Sequence, residues 1–190
     1  MGKKMGKNIL RNLGLENRMG GLLSLVLGFM LWFPSVVQAS SPEDDTYPTP
    51  ERLFHIARSL NRNLVCYDAN LKDGKLDSEE PVKVYWLNRT DRPGHTNGLN
   101  FIQRKLAYGY KVVQHDSDSY QIELSAYPRN ITIRKDQGSY QAFVDIQGTP
   151  AQLVSLYVKT KPNNSMSVEY VELQGYEVST GKWVTERIEN

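Results

Sequence analysis

A single cysteine, Cys66, stands in 190 residues. With no second thiol an internal disulfide is excluded, and whatever domain forms must be held by packing alone. The same scarcity removes every paired C-x-x-C redox or zinc motif. The three histidines, His55, His95 and His115, are too far apart in sequence to make a metal site by spacing, and H-E-x-x-H is missing. There is no G-x-S-x-G nucleophile elbow and no glycine-rich phosphate loop. The residues therefore name no reaction, no cofactor and no metal. Cys66 lies within apolar Leu64-Val65-Cys66-Tyr67 and reads as a small buried hydrophobe. A catalytic thiol would need a neighbouring base and a lowered pKa.

An excess of charge is lacking too. The chain carries 23 basic and 21 acidic residues, a net +2. Five basic residues (Lys3, Lys4, Lys7, Arg11, Arg18) against Glu16 give the first 39 residues +4, so the other 151 hold 18 basic and 20 acidic residues, a net −2. A body this neutral has no electrostatic reason to hold nucleic acid or anionic lipid. The basic segment is followed by an apolar run, Leu22 to Phe33, and then by Ser35-Val36-Val37-Gln38-Ala39. Val37 and Ala39 supply the small residues at −3 and −1 that a signal peptidase accepts, so residues 1–39 are expected to be a signal peptide cleaved before Ser40. The alternative is an uncleaved N-terminal anchor, but the run is about a dozen residues against the roughly 20 that span a bilayer. Met5 and Met19 are alternative starts, and no cysteine follows the run to take a lipid. The expectation is export to the periplasm or the cell exterior, with no stable membrane insertion once the leader is gone.

Residues 40–50 (SSPEDDTYPTP) are polar with three prolines and read as a linker. Residues 51–190 read as one β-rich domain. Leu53–Arg58 and Asn63–Asp68 form a first hairpin, and Val82, Val84 and Trp86 alternate with Lys83 and Tyr85 in a half-buried strand. Between them Asp68 and Asn70 fit positions 1 and 3 of a calcium loop, but Lys72 at position 5 has the wrong sign. The segment reads instead as an exposed connection with an Asp73-Gly74 turn. Leu99, Ile102 and Leu106 recur at helical spacing and predict one short helix over 98–108, with Asn97 as N-cap and Gly109 beyond the C-terminus. From Tyr110 onward strands of five to eight residues follow at hairpin spacing. Ser167 to Val178 breaks phase, which predicts a bulge near Tyr170 or a strand buried on both faces. The fold class is mainly β, an antiparallel sandwich or barrel with one short helix. Asn88, Asn130 and Asn163 begin glycosylation sequons, without consequence in a bacterial host.

Two groups of polar and aromatic residues exceed what strand propensity asks for. Arg58, Asn61, Arg62, Asn63, Asp68 and Asn70 crowd the first hairpin; Gln103, Arg104, Tyr108 and Tyr110 crowd the helix end. Amides, guanidinium groups and aromatic rings together suit a sugar or other polar ligand. The competing explanation is that they fix the hairpin and dock the helix. A non-catalytic binding or interaction module of the cell envelope, taking a glycan, small molecule or protein, is the first functional reading. The second is an envelope hydrolase or transferase assembled from distant strands, with His55, Asp68 and Gln103 as candidates.

Leu53-Phe54-His55-Ile56-Ala57-Arg58-Ser59-x-Asn61-x-Asn63, Val65-Cys66-Tyr67-Asp68-Ala69-Asn70 and Val84-Tyr85-Trp86 resemble the opening of an uncharacterised family, domain of unknown function 4833. Ile102-Gln103-Arg104-Lys105-x-Ala107-Tyr108-Gly109-Tyr110 resembles its middle motif, and Gly148-x-Pro150-Ala151-x-Leu153 with Tyr170-Val171-Glu172-Leu173-x-Gly175 its later part. The likeness covers about residues 51 to 189. It implies a bacterial exported domain and supplies no activity, cofactor or catalytic residue.

Overall fold

The computed structural model describes residues 49–190; the expected leader and almost all of the linker lie outside the described residues. Strands account for 65% of the described residues, as a large curled mixed sheet that forms a half-barrel with one short helix.

β1 (Arg52–Arg58) and β2 (Asn61–Ala69) pair as the expected hairpin. β3 (Leu71–Lys72) and β4 (Lys75–Leu76) make a small separate ribbon. Its turn is Asp73-Gly74 with φ of 53° and 75°, the positive-φ pair that two-residue hairpins need. β5 (Val82–Leu87) pairs with β2, and β6 (Thr96–Gly98) with β5. A single α-helical turn, α1 (Phe101–Gln103), runs into a π-helical stretch, Arg104–Tyr108. β7 (Tyr110–His115), β8 (Ser119–Leu124), β9 (Tyr127–Asp136) and β10 (Ser139–Ile146) then form a meander. β11 (Thr149–Lys161), β12 (Asn164–Glu177) and β13 (Trp183–Glu189) complete the sheet.

The sheet forks at β11. Along one edge its first residues, Thr149–Gln152, pair antiparallel with β10, and the next, Ser155–Val158, pair parallel with β1. The other edge is taken by β12, which also pairs with β13. Two arms thus leave the same edge of one strand, β1-β2-β5-β6 and β10-β9-β8-β7. They curl toward each other over the main core. Phe54 and Tyr67 from the first arm stack at 4.3 Å between ring centroids, and Ile122, Ile133 and Val144 from the second join the same cluster. The parallel pair departs from the antiparallel layout expected of the strands. Hairpin spacing reports only pairings between neighbours in sequence, whereas β1 meets β11 across about a hundred residues.

β12 carries the expected bulge beside Tyr170. Lys159 pairs with Tyr170 and Thr160 with Val168, which leaves Glu169 unopposed. That extra residue reverses the alternation between Val168 and Tyr170, and beyond it Val171 and Leu173 turn to the core while Tyr170 faces outward. Close approach of β12 to β11 requires glycine at 175, where an added Cβ would lie 2.2 Å from the Gln152 carbonyl oxygen. Gly175→Ala is expected to cost about 1–3 kcal/mol through overpacking, measured by urea unfolding; unchanged stability would contradict this packing.

β13 is pinned to the second arm by Arg129, which donates to both Glu186 oxygens at 2.8 and 2.9 Å, while the Gln147 amide donates to Glu186 at 2.8 Å. The Arg129 guanidinium holds the Glu186 carboxyl below the usual glutamate range. A depressed folded-state pKa adds stability that is present above the ordinary value of about 4.3 and lost as pH falls through the lowered one. Glu186→Gln is therefore expected to lower Tm at pH 7, and its deficit to shrink in scans taken toward pH 3. A deficit constant across that range would contradict the assignment.

Candidate functional site

The helical segment is where the two arms come closest to closing. Asn100 caps it: its Oδ1 accepts from the Gln103 amide at 2.9 Å and Gln103 Oε1 accepts from the Asn100 amide at 3.0 Å, a reciprocal capping box. The cap is thus Asn100 and not Asn97. After Gln103 the turn widens, and the Gly109 amide donates to the Arg104 carbonyl five residues back at 3.0 Å. Gly109 is required there because a Cβ would lie 2.0 Å from that oxygen. The expected buried face of Leu99, Ile102 and Leu106 is not what packs. Leu99 and Tyr108 are buried, while Ile102 and Leu106 are 66% and 65% exposed, with Phe101 beside them at 76%. A π-turn takes more residues per revolution than the α-helical period assumes, so the inward face shifts to Tyr108.

Three of the candidates converge on this element. Arg58 Nη1 donates to the Tyr108 hydroxyl at 2.8 Å, and its Nη2 donates to the Ser165 carbonyl. Trp86 donates to Gln103 Oε1 at 3.3 Å and meets the Tyr108 ring edge-on at 5.3 Å. The buried Tyr67 hydroxyl donates to the Tyr108 carbonyl at 2.7 Å; burial raises its pKa, which keeps it a donor. Tyr110 crosses between the arms, its hydroxyl bonded to both the amide and the carbonyl of Val82 at 3.1 and 3.0 Å. Burial pushes the Tyr110 hydroxyl up to about 12.

The hairpin candidates go elsewhere. Asn61 accepts from the Asn63 amide, Asn63 from the Arg89 amide, and Asn70 donates to the Glu80 carbonyl, so each fixes a turn or loop. Arg62, the second residue of β2, is exposed. Asp68 lies on the outer face of the first arm, where Arg52 and Tyr85 both donate to it at 2.5 Å and Thr49 at 3.2 Å. Burial, reinforced by the Asp68 carboxylate, pushes the Tyr85 hydroxyl up to about 12.

Between the unjoined ends of the two arms lies a cleft of ≈ 620 Å³, within the range of about 300–1,000 Å³ that ligand sites occupy. Its floor is apolar: Val84 from the first arm, Leu99 ahead of the helix and Val112 from the second arm. One rim carries Glu79 and Glu80, the other Arg104 and Lys105. Arg104 reaches Glu80 at 3.4 Å, whereas Lys105 joins no ion pair among the described residues and sits 5.9 Å above the Phe101 ring. Of the sequence candidates, Arg104 and Tyr110 line this cleft. Glu79, Glu80 and Lys105 were not candidates, since charged residues in a loop or helix carry no signal of the cavity they border.

The family model described as Domain of unknown function (DUF4833) matches residues 54–187. The chain belongs to this family. No curated protein and no solved structure matches it.

This member of the DUF4833 family has a second polar grouping, which includes the candidate His55. His55 pairs with Cys66 on one side and Ser155 on the other, all three buried on the outer face of the sheet. Ser155 donates to Gln174 at 2.8 Å, Gln174 to Glu172 at 2.7 Å, and Arg187 to Glu172 at 3.3 Å. Gln103 lies on the opposite, core side with Trp86, so the trio of His55, Asp68 and Gln103 is separated by the sheet. His95 lies in the loop after β5, and His115 stacks on Tyr120 at the end of β7. No group of three or more His, Cys, Asp or Glu placed to hold a metal occurs among the described residues. No helix among them is long and apolar enough to cross a membrane.

Tyr108→Phe removes the acceptor of a charge-assisted bond while keeping the ring. It is expected to cost about 1.5–3 kcal/mol in urea unfolding; a cost under a few tenths would show that Arg58 does not hold the helix.

Proposed function

We propose that this protein is an exported domain of the cell envelope that acts as a non-catalytic binding module, with its ligand in the cleft between the two arms. The observation that carries the reading is the cleft itself, with an apolar floor, opposed charged rims and the Tyr110 ring at one end. A polar ligand with some apolar surface matches that lining, whether glycan, small molecule or peptide. Arg58, Gln103 and Tyr108 serve the site indirectly: their bonds are spent on holding the helix that forms one rim. The basic and apolar residues 1–39 support export. The near-neutral body argues against nucleic acid as the ligand. The hydrolase or transferase alternative is weaker because its candidate residues lie on opposite faces of the sheet, and proton transfer requires contacts near 3 Å.

A thermal-shift screen of the purified full chain against cell-wall fragments, glycans and metal salts tests the binding reading. At least one polar organic ligand is expected to raise Tm by several degrees, and Arg104→Ala to abolish the rise. A rise that survives Arg104→Ala puts the ligand elsewhere. For export, cell fractionation should recover the protein outside the cytosol with Ser40 at its N-terminus, and full-length product confined to the cytosol refutes it.

A further inference from the structure

We propose that the cleft takes an extended peptide, which adds as a strand to the open edge of β7, sets an apolar side chain on the cleft floor and brings a carboxylate to Lys105. The inference rests on the reading of the cleft as the ligand site and names the class of ligand.

β7 ends the second arm and pairs only with β8. Ser125 donates its amide to the Gly109 carbonyl at 2.8 Å, which makes Gly109 and Ser125 a hydrogen-bonded pair. Antiparallel alternation then makes Tyr110–Leu124 a non-bonded pair, Lys111–Glu123 a bonded one and Val112–Ile122 non-bonded again. The amides and carbonyls of Tyr110 and Val112 therefore point away from β8, toward the unfilled gap of the half-barrel. The side chains of the same two residues line the cleft. An edge of regularly spaced donors and acceptors beside a pocket for one side chain is the arrangement by which sheets take up peptides. Only another extended backbone repeats that spacing; a glycan matches part of it at best. The register shift after Val112 ends the regular edge, so the added strand is short and its apolar residue falls opposite Tyr110–Val112.

Charge decides what flanks that residue. Lys111 is held by Glu123 at 2.7 Å and Arg104 by Glu80, which leaves Lys105 as the cation of this rim without an ion-pair partner among the described residues. A carboxylate next to the apolar residue, from Asp, Glu or a chain end, complements it. Phe101, 76% exposed on the same rim, supplies apolar surface to the bound chain.

Random heptapeptides displayed on phage and selected on the immobilised full chain test the proposal, followed by fluorescence polarisation with the recovered peptides. Recovered sequences are expected to share an apolar residue within two positions of Asp, Glu or a free C-terminus. Val112→Pro removes one edge amide at a position where an edge strand tolerates proline; it should weaken binding at least tenfold, and Lys105→Glu should do the same. Should Val112→Pro fail to fold, peptides N-methylated at alternate amides report on the unaltered protein, and they should lose binding equally. Failure to enrich any peptide, or equal affinity for the proline variant and the methylated peptides, overturns the proposal. So does a wild-type dimer that Val112→Pro dissociates, since the occupant is then a second copy. If peptides fail while a glycan or cell-wall fragment gives an Arg104-dependent thermal shift, the peptide class is wrong and the cleft reading stands.

Discussion

The fold depends on a division of labour along one strand. β11 is thirteen residues long and hydrogen-bonded on both edges, but one of those edges is shared between β10 and β1. A strand has room for only one neighbour per edge at any point, so two neighbours must take successive stretches of it and then diverge. Divergence creates the two arms, and their apolar faces share one core with Leu153 and Leu156 of β11 and Leu173 of β12. The parallel contact of β1 with β11 closes a loop of about a hundred residues. Such long-range closure must precede the contacts that reward it, and it is characteristic of slow-folding β proteins.

With a single cysteine, buried in the sheet, nothing covalent holds the arms together. The closure is made instead by Tyr67, Tyr108 and Tyr110, each of which buries a ring and spends its polar atoms on backbone or on Arg58. Tyrosine suits this role because its ring contributes apolar area while its hydroxyl satisfies a backbone group that would otherwise be stranded. The closure is incomplete. The helical segment covers part of the gap between β6 and β7 and leaves the remainder as the cleft, so the site is a direct result of how the arms fail to meet.

The π-turn at Arg104–Tyr108 settles which residues do structural work and which are presented to solvent. Phe101 and Ile102 of the α-turn and Leu106 of the π stretch are outward, while Tyr108 at its end is buried. Of the three outward residues only Phe101 lines the cleft, where it adds apolar surface to the rim.

Local rules were readable from the residues. The alternation of Val82, Val84 and Trp86, the Asp73-Gly74 turn, the first hairpin and the bulge beside Tyr170 all follow from side-chain period and backbone permissiveness, which act over a few residues. The parallel pairing of β1 with β11, the forked sheet and the opposed faces of His55 and Gln103 have no such local cause. The helix shows the boundary between the two regimes. Its existence was legible in the spacing of Leu99, Ile102 and Leu106, but its inward face was not, because the choice between α and π turns depends on the carbonyls and rings that the two arms bring to meet it. The same holds for the polar residues. Chemistry alone could group Arg58, Asn61, Asn63, Asp68, Asn70 and Gln103, but only the folded chain distributes them among turn, outer sheet face and helix rim, because a strand sends adjacent side chains to opposite sides.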